Sequence, residues 1–200
     1  MNTFTSLRFT ICEPDPVLGR PVVFLDRDGV INQSADYGKY ISSIEEFVFK
    51  PTAVEAIRVL LKEGFYVVVV TNQAGVGREM ISLETLDKIH FKLVEETRVG
   101  NKHIQAVYIC PHKREENCFC RKPNPGLFRR ASAELGIDLR ASYLVGDSES
   151  DIIAGTHAGC TTIQIKETTS VLTRIAPEYV ATDLGEAVAK ILELVDRKSI

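Results

Sequence analysis

The chain has 200 residues, 44% of them hydrophobic and 26% charged, with a formal net charge of −3. That size and apolar content suit one α/β domain with a sizeable core. The charge balance excludes a global attraction to nucleic acid or anionic membranes, so an anionic ligand has to meet local positive charge. No apolar stretch approaches about 18 residues, the length that marks a membrane helix. Residues 1–21 contain Glu13, Asp15 and prolines and lack the apolar core of a signal peptide. These features predict a cytoplasmic monomer with neither nucleic acid nor membrane as partner.

In chain order, Val22, Val23, Phe24 and Leu25 form the first apolar run, which ends at Asp26. Val54, Ile57, Leu60 and Leu61 then recur at helical spacing, with Pro51 near the start and Gly64 just past the end. A second apolar run over residues 65–70 ends at Thr71, and Ser82 is a candidate N-cap for a helix with Leu86, Ile89 and Leu93 on one face. A run over 104–109 follows, then a helix marked by Leu127, Phe128, Ala131 and Leu135 that ends at Gly136. Runs at 143–145 and 162–165 complete the strands, and Asp183 with Glu186 forms a capping pair before Val188, Ile191, Leu192 and Val195. Apolar strands alternating with helices predict a doubly wound, mostly parallel sheet with helices on both faces. Ligands bind such sheets outside the carboxyl ends of the strands, where Asp26, Thr71 and Asp147 fall. Residues 1–200 read as one domain: an N-terminal extension over 1–21, a flap over 33–46 too polar and irregular for a cap domain, and an unusual loop over 110–125.

The chemistry lies at those strand ends. Asp26 and Asp28 sit two apart beyond a strand, so one carboxylate can attack phosphorus while the other protonates the leaving oxygen and then activates water. Gly29 allows the chain to turn around a phosphate. Thr71 and the Asn72 amide can donate to phosphoryl oxygens, and Lys122 brings the positive charge that keeps a dianion beside Asp26. Asp147 would complete an oxygen-rich Mg²⁺ site with Asp26 and the Asp28 backbone carbonyl. Each motif alone has an ordinary reading as a turn or a helix cap; four in order after buried strands do not.

Cys110, His112, Cys118 and Cys120 supply three thiolates and one imidazole within one short segment. A Cys₃His set with no open position is a structural Zn²⁺ site. Lys113, Arg114, Glu115, Glu116 and Asn117 cannot bury a core, so this loop needs another organising force. A metal there would hold Arg121 and Lys122 in place.

Asp26-Arg27-Asp28-Gly29-Val30-Ile31-Asn32, Thr71-Asn72-Gln73, Lys122-Pro123 and Gly146-Asp147 resemble the motifs of the haloacid dehalogenase (HAD) superfamily of aspartate-nucleophile phosphatases. The resemblance spans residues 22–165. It implies that Asp26 is the nucleophile, Asp28 the acid/base, Thr71 and Lys122 the phosphoryl stabilisers, and Asp26, Asp28 and Asp147 the Mg²⁺ site. Asp151 follows at the spacing of the superfamily's second acidic residue, where it either orients Lys122, supports the metal or simply caps a helix. The Cys-x-His and Cys-x-Cys-Arg-Lys-Pro pattern is similar to a zinc-bearing branch that contains heptose-bisphosphate and histidinol-phosphate phosphatases. Thr71 to Arg78 look more like the heptose group, and the short link from His112 to Cys118 more like the histidinol group. A phosphorylated small sugar is the implied substrate, with Arg121 gripping a phosphate that is not cleaved. Asn72, Gln73, Asp36 and Tyr37 are the other substrate-contacting candidates, Asp36 and Tyr37 after a small insertion in the flap. A non-catalytic phosphate-binding protein is the rival from another class, and the intact Asp26 and Asp28 pair argues against it. His90 reads as an ordinary helix-face residue.

Overall fold

A computed structural model describes residues 7–10, 22–36, 38–166 and 175–198. Seven strands among the described residues form one sheet: β1 (Leu7–Phe9), β2 (Val22–Leu25), β3 (Tyr66–Asn72), β4 (Ala106–Cys110), β5 (Tyr143–Gly146), β6 (Thr161–Ile165) and β7 (Tyr179–Ala181). Their order is β1-β4-β3-β2-β5-β6-β7. All neighbours run parallel except β1, which lies antiparallel on β4. The helices are α1 (Ala53–Lys62), the single turn α2 (Ala74–Gly77), α3 (Leu83–Thr97), α4 (Gly126–Leu135), α5 (Glu149–Ala158) and α6 (Leu184–Lys198).

The apolar runs divide by strand periodicity into two cores. Val23, Leu25, Val67, Val69, Val107 and Ile109 face α1, α3 and α6, where Leu60, Leu86, Ile89, Leu93 and Ile191 are buried against them. Val22, Phe24, Val68, Val70 and Tyr108 face the other way, onto Leu127, Phe128, Ala131 and Leu135 of α4 and Ala154 of α5. Covering both faces is what allows such continuous Val runs. Phe24 meets Phe128 edge-on, with centroids 5.1 Å apart. The helix signals hold at their chemistry: Ser82 accepts from the Thr85 amide, Gly136 ends α4 with φ +69°, and Asp183 accepts from the Glu186 amide. No helix among the described residues is long and apolar enough to cross a membrane.

Two strands were not legible in the sequence. Leu7–Phe9, inside the expected N-terminal extension, pairs with the edge of the sheet; the rest of 1–21 lies outside the described residues apart from Thr10. Tyr179–Ala181 is the opposite edge. The described residues of 33–46 contain no helix or strand and lean on the core through buried Ile41, with Tyr40 packed over Gly75. The register that matters for function pairs Thr71 with Ile109 and Asn72 with Cys110, which puts the end of β3 beside the first cysteine of the 110–125 loop.

Candidate active site

The chain leaves β2 at Leu25 and reverses at once: the Arg27 carbonyl accepts from the amides of Ile31 at 2.8 Å and Asn32 at 3.1 Å. Gly29 sits in this turn at φ +92°, and a Cβ there would lie 1.9 Å from Asp147 Oδ2. Only glycine permits both the conformation and the approach. The reversal, the end of β3 and the β5–α5 junction enclose an open cavity of about 170 Å³ lined by Asp26, Asp28, Thr71, Lys122, Asp147 and Asp151.

Lys122 is the centre of this cavity. Its Nζ donates to Asp26 Oδ1 at 2.6 Å and to the Val70 carbonyl at 2.9 Å, and it lies 2.6 Å from Asp151 Oδ1. Burial alone would lower its pKa, but Asp151 and Asp26 more than reverse that, so the ammonium is firmly charged. Burial and the neighbouring Asp151 and Asp147 carboxylates push Asp26 up despite Lys122. Asp147 is pushed up to about 6 by burial and by Asp151. Asp28 moves the opposite way: burial would raise it, yet Arg27, Asn32 and Gln73 hold it below the ordinary carboxylate range. Two residues apart in sequence, Asp26 and Asp28 are therefore shifted in opposite directions, Asp26 by burial and like charge and Asp28 by the donors around it.

Oxygens of Asp26, Asp147 and Asp151 lie within 4.8 Å of one another. Three carboxylates against one lysine leave excess negative charge, and an oxygen-only donor set fits a hard divalent cation such as Mg²⁺. Asp151 satisfies two of its three sequence readings at once, because Oδ2 caps α5 by accepting from the Ser148 amide at 3.0 Å while Oδ1 faces Lys122. The Gln164 amide donates to the Asp147 carbonyl at 3.0 Å, and Lys50 Nζ donates to the Gly29 carbonyl at 3.0 Å.

The amides after Thr71 are committed within the protein. Gln73 Nε2 donates to Asp28 Oδ2 at 2.8 Å and to Thr71 Oγ1 at 2.9 Å, so it braces both. Asn72 makes a reciprocal pair with the Lys122 backbone: Nδ2 donates to the carbonyl at 3.1 Å and Oδ1 accepts from the amide at 3.1 Å. Arg121 lines an adjoining cavity of about 390 Å³ together with Arg114 and Asn124. Asp36 stands apart from these cavities, 80% exposed and paired with Lys39 at 2.8 Å. Tyr37 lies outside the described residues.

Sequence reasoning passed over Arg27 and His90. Arg27 is only 1% exposed; its Nε and Nη2 donate to Asp28 at 2.9–3.2 Å, and its Nη1 lies 3.3 Å from Nε2 of fully buried His90 on α3. Burial, aided by the Arg27 charge, drives the His90 pKa well below its usual value. Strand alternation was the available signal: with Asp26 and Asp28 turned to the cavity, Arg27 between them must point elsewhere.

The 110–125 loop gathers its sulfurs as its composition required. Cys110 Sγ lies 3.5 Å from Cys118 Sγ, Cys118 Sγ 3.5 Å from Cys120 Sγ, and His112 Nδ1 3.2 Å from Cys120 Sγ and 3.6 Å from Cys110 Sγ. A tetrahedron with bonds of about 2.0–2.3 Å has edges of roughly 3.3–3.8 Å, so the donor set fits Zn²⁺. Hydrogen bonding from the Cys120 thiol pulls Cys110 down to about 5, and the same pairing pushes Cys120 up. A lowered thiol pKa favours the thiolate form that ligates a soft cation. It is tied to the cavity on both sides, since the Gln73 amide donates to the Cys110 carbonyl at 2.8 Å and Asn124 Nδ2 to the Cys118 carbonyl at 2.9 Å.

Parallel strands that deliver a carboxylate pair and a hydroxyl to one mouth, with a buried lysine brought there by the 110–125 loop, define a phosphohydrolase of the HAD-like class. A family profile of HAD-hydrolase-like proteins matches residues 119–187. D-glycero-beta-D-manno-heptose-1,7-bisphosphate 7-phosphatase of Pseudomonas aeruginosa is 36% identical over 149 residues, covering 74% of this chain and 83% of the relative. The enzyme of the same name from Pseudomonas putida is 38% identical over 145 residues, covering 72% and 82%. The crystal structure of D,D-heptose 1,7-bisphosphate phosphatase from Bordetella bronchiseptica, complexed with magnesium and phosphate, superposes with a TM-score of 0.75 at 30% identity, covering 86% of this chain and 98% of that one. The chain belongs to this family of HAD-like heptose-bisphosphate phosphatases.

Proposed function

We propose that the chain is a Mg²⁺-dependent cytoplasmic monomer that removes the 7-phosphate of D-glycero-β-D-manno-heptose 1,7-bisphosphate through an aspartyl-phosphate on Asp26. The observation that carries this reading is the 2.6 Å contact of Lys122 with Asp26 Oδ1, which occupies one carboxylate oxygen and leaves Oδ2 for attack on phosphorus. Attack forms the Oδ2–P bond and breaks the bond to the sugar oxygen, which takes its proton from Asp28. Asp28 then recovers a proton from water as that water attacks phosphorus and frees Asp26. Thr71 and Lys122 stabilise the phosphoryl oxygens in both halves. Bound by Asp26, Asp147 and the Asp28 carbonyl, Mg²⁺ would neutralise the crowded carboxylates and the phosphoryl charge. Cys110, His112, Cys118 and Cys120 would hold a structural Zn²⁺ that keeps Arg121 and Lys122 in place.

Substrate choice is read from the cavity beside the nucleophile. Arg114 and Arg121 line it, a setting that suits a second, uncleaved phosphate and repels the ammonium of histidinol phosphate. Phosphate release over a panel of phosphorylated metabolites tests this. Heptose 1,7-bisphosphate should be hydrolysed far faster than heptose 7-phosphate. Arg121→Ala should cost the bisphosphate roughly 1.5–3 kcal/mol, on the order of ten- to a hundredfold, and leave a small monophosphate nearly untouched. Histidinol phosphate as the best substrate would overturn the assignment.

A further inference from the structure

Arg27 lies between the two carboxylates in sequence, yet its guanidinium turns away from the cavity and is buried on the α1/α3 side of the sheet, 5.8 Å over the Phe47 ring. Three of its nitrogens are used directionally: Nε and Nη2 fork onto Asp28, and Nη1 points at His90 Nε2. A guanidinium nitrogen carries protons only, so His90 Nε2 is the acceptor and the ring is neutral, with its proton on Nδ1. His90 Nδ1 has no hydrogen-bond partner among the described residues, and the ring leans on Phe9 with centroids 5.6 Å apart. A buried cation beside a buried imidazole is an expensive way to fill space, and apolar side chains of the same volume are usually at least as stable there. What the arrangement supplies instead is direction.

We infer that Arg27, seated on neutral His90, is a positioning residue that aims the Asp28 carboxylate at the leaving oxygen. This rests on the reading of Asp28 as the acid of the first half-reaction. Nη1 engaged by His90 fixes the guanidinium plane, and that plane fixes both oxygens of Asp28 through its bidentate contact. Gln73 at 2.8 Å and Asn32 at 2.9 Å brace the same two oxygens, and the carboxyl still lines the cavity. His90 reaches the chemistry only through Arg27.

The test is single-turnover release of the leaving group from two substrates: p-nitrophenyl phosphate, whose phenolate departs without a proton, and whichever alkyl phosphate of the panel turns over fastest. Asp28→Asn should slow alcohol release by about 10²–10⁴-fold and nitrophenol release far less, the split expected of a lost general acid. Arg27→Met and His90→Leu should show the same split at smaller size, with alcohol release down by roughly tenfold or more and nitrophenol release by less than about threefold. His90→Gln keeps an acceptor for Nη1 and should restore most of the alcohol rate. Should Arg27→Met fail to fold, the two His90 variants decide. Equal losses on both substrates, or no loss in His90→Leu, overturn the inference while leaving Asp28 as the acid. Absence of a split in Asp28→Asn sinks the acid reading itself.

Discussion

The two faces of the sheet feed the same cavity by different means. From the α1/α3 side, Arg27, Asn32 and Gln73 hold Asp28 by hydrogen bonds, with His90 behind Arg27. From the α4/α5 side, Lys122 arrives on a polar loop whose fixed points are three sulfurs and an imidazole. The first arrangement carries its own counter-charge, whereas the second gathers three cysteine sulfurs and an imidazole that a cation would unite. Precision in the first comes from hydrogen-bond direction, and in the second from ligand geometry. The nucleophile sits where the two meet.

Breaking the meeting point should have the largest effect. Asp26→Asn removes the attacking oxygen at constant volume, so phosphate release should fall by at least about 10⁴-fold with the circular dichroism spectrum and melting temperature retained. Near-normal turnover in this variant would end the aspartyl-phosphate proposal.

Damage confined to the sulfur side should be smaller and should show in metal content first. Elemental analysis is expected to find about one zinc per chain. Cys118→Ser should lower that content and reduce activity by roughly ten- to a hundredfold through misplacement of Lys122, the range seen when support for a metal ligand set is lost. Full zinc occupancy in a protein lacking both Cys118 and Cys120 would remove the distinction between the two faces.

The smallest effect concerns protons. Asp147, raised to about 6, binds a proton more tightly folded than unfolded. Stability of the cation-free protein from this group is therefore greatest below the ordinary carboxylate pKa near 4 and declines as pH rises from there to about 6. Mg²⁺ competes with that proton for the same oxygens. The rise in melting temperature on adding Mg²⁺ should thus grow between pH 5 and pH 7. An increment that shrinks with pH over this window would contradict the assignment of Asp147 to the cation.

Much of this was legible because the chemistry follows strands that are buried on both faces. Val runs ending in Asp26, Thr71 and Gly146 announced a doubly wound sheet and its carboxyl edge, and the cysteines announced their cluster through a loop too polar to fold otherwise. Legibility failed where a signal is short or tertiary. Leu7–Phe9 and Tyr179–Ala181 are three-residue edges whose pairing rests on backbone bonds that side-chain pattern does not encode. His90 sits at a helical position shared by Leu86 and Ile89, and nothing along the chain says that Arg27 will meet it. Motif order placed Asn72 and Gln73 at the site but not their partners: Asn72 lines both cavities with its amide bound to the Lys122 backbone, and the Gln73 amide is bound to Asp28.

The pairing of Thr71 with Ile109 and of Asn72 with Cys110 has one more consequence. Adjacent strands lie about 4.8 Å apart, and their register cannot slip by one residue without turning every side chain to the opposite face. Cys110, the first residue of the sulfur cluster, and Thr71, the hydroxyl lining the cavity, are therefore set on neighbouring rungs of a single ladder. Moving one of them relative to the other would mean breaking the backbone hydrogen bonds between β3 and β4.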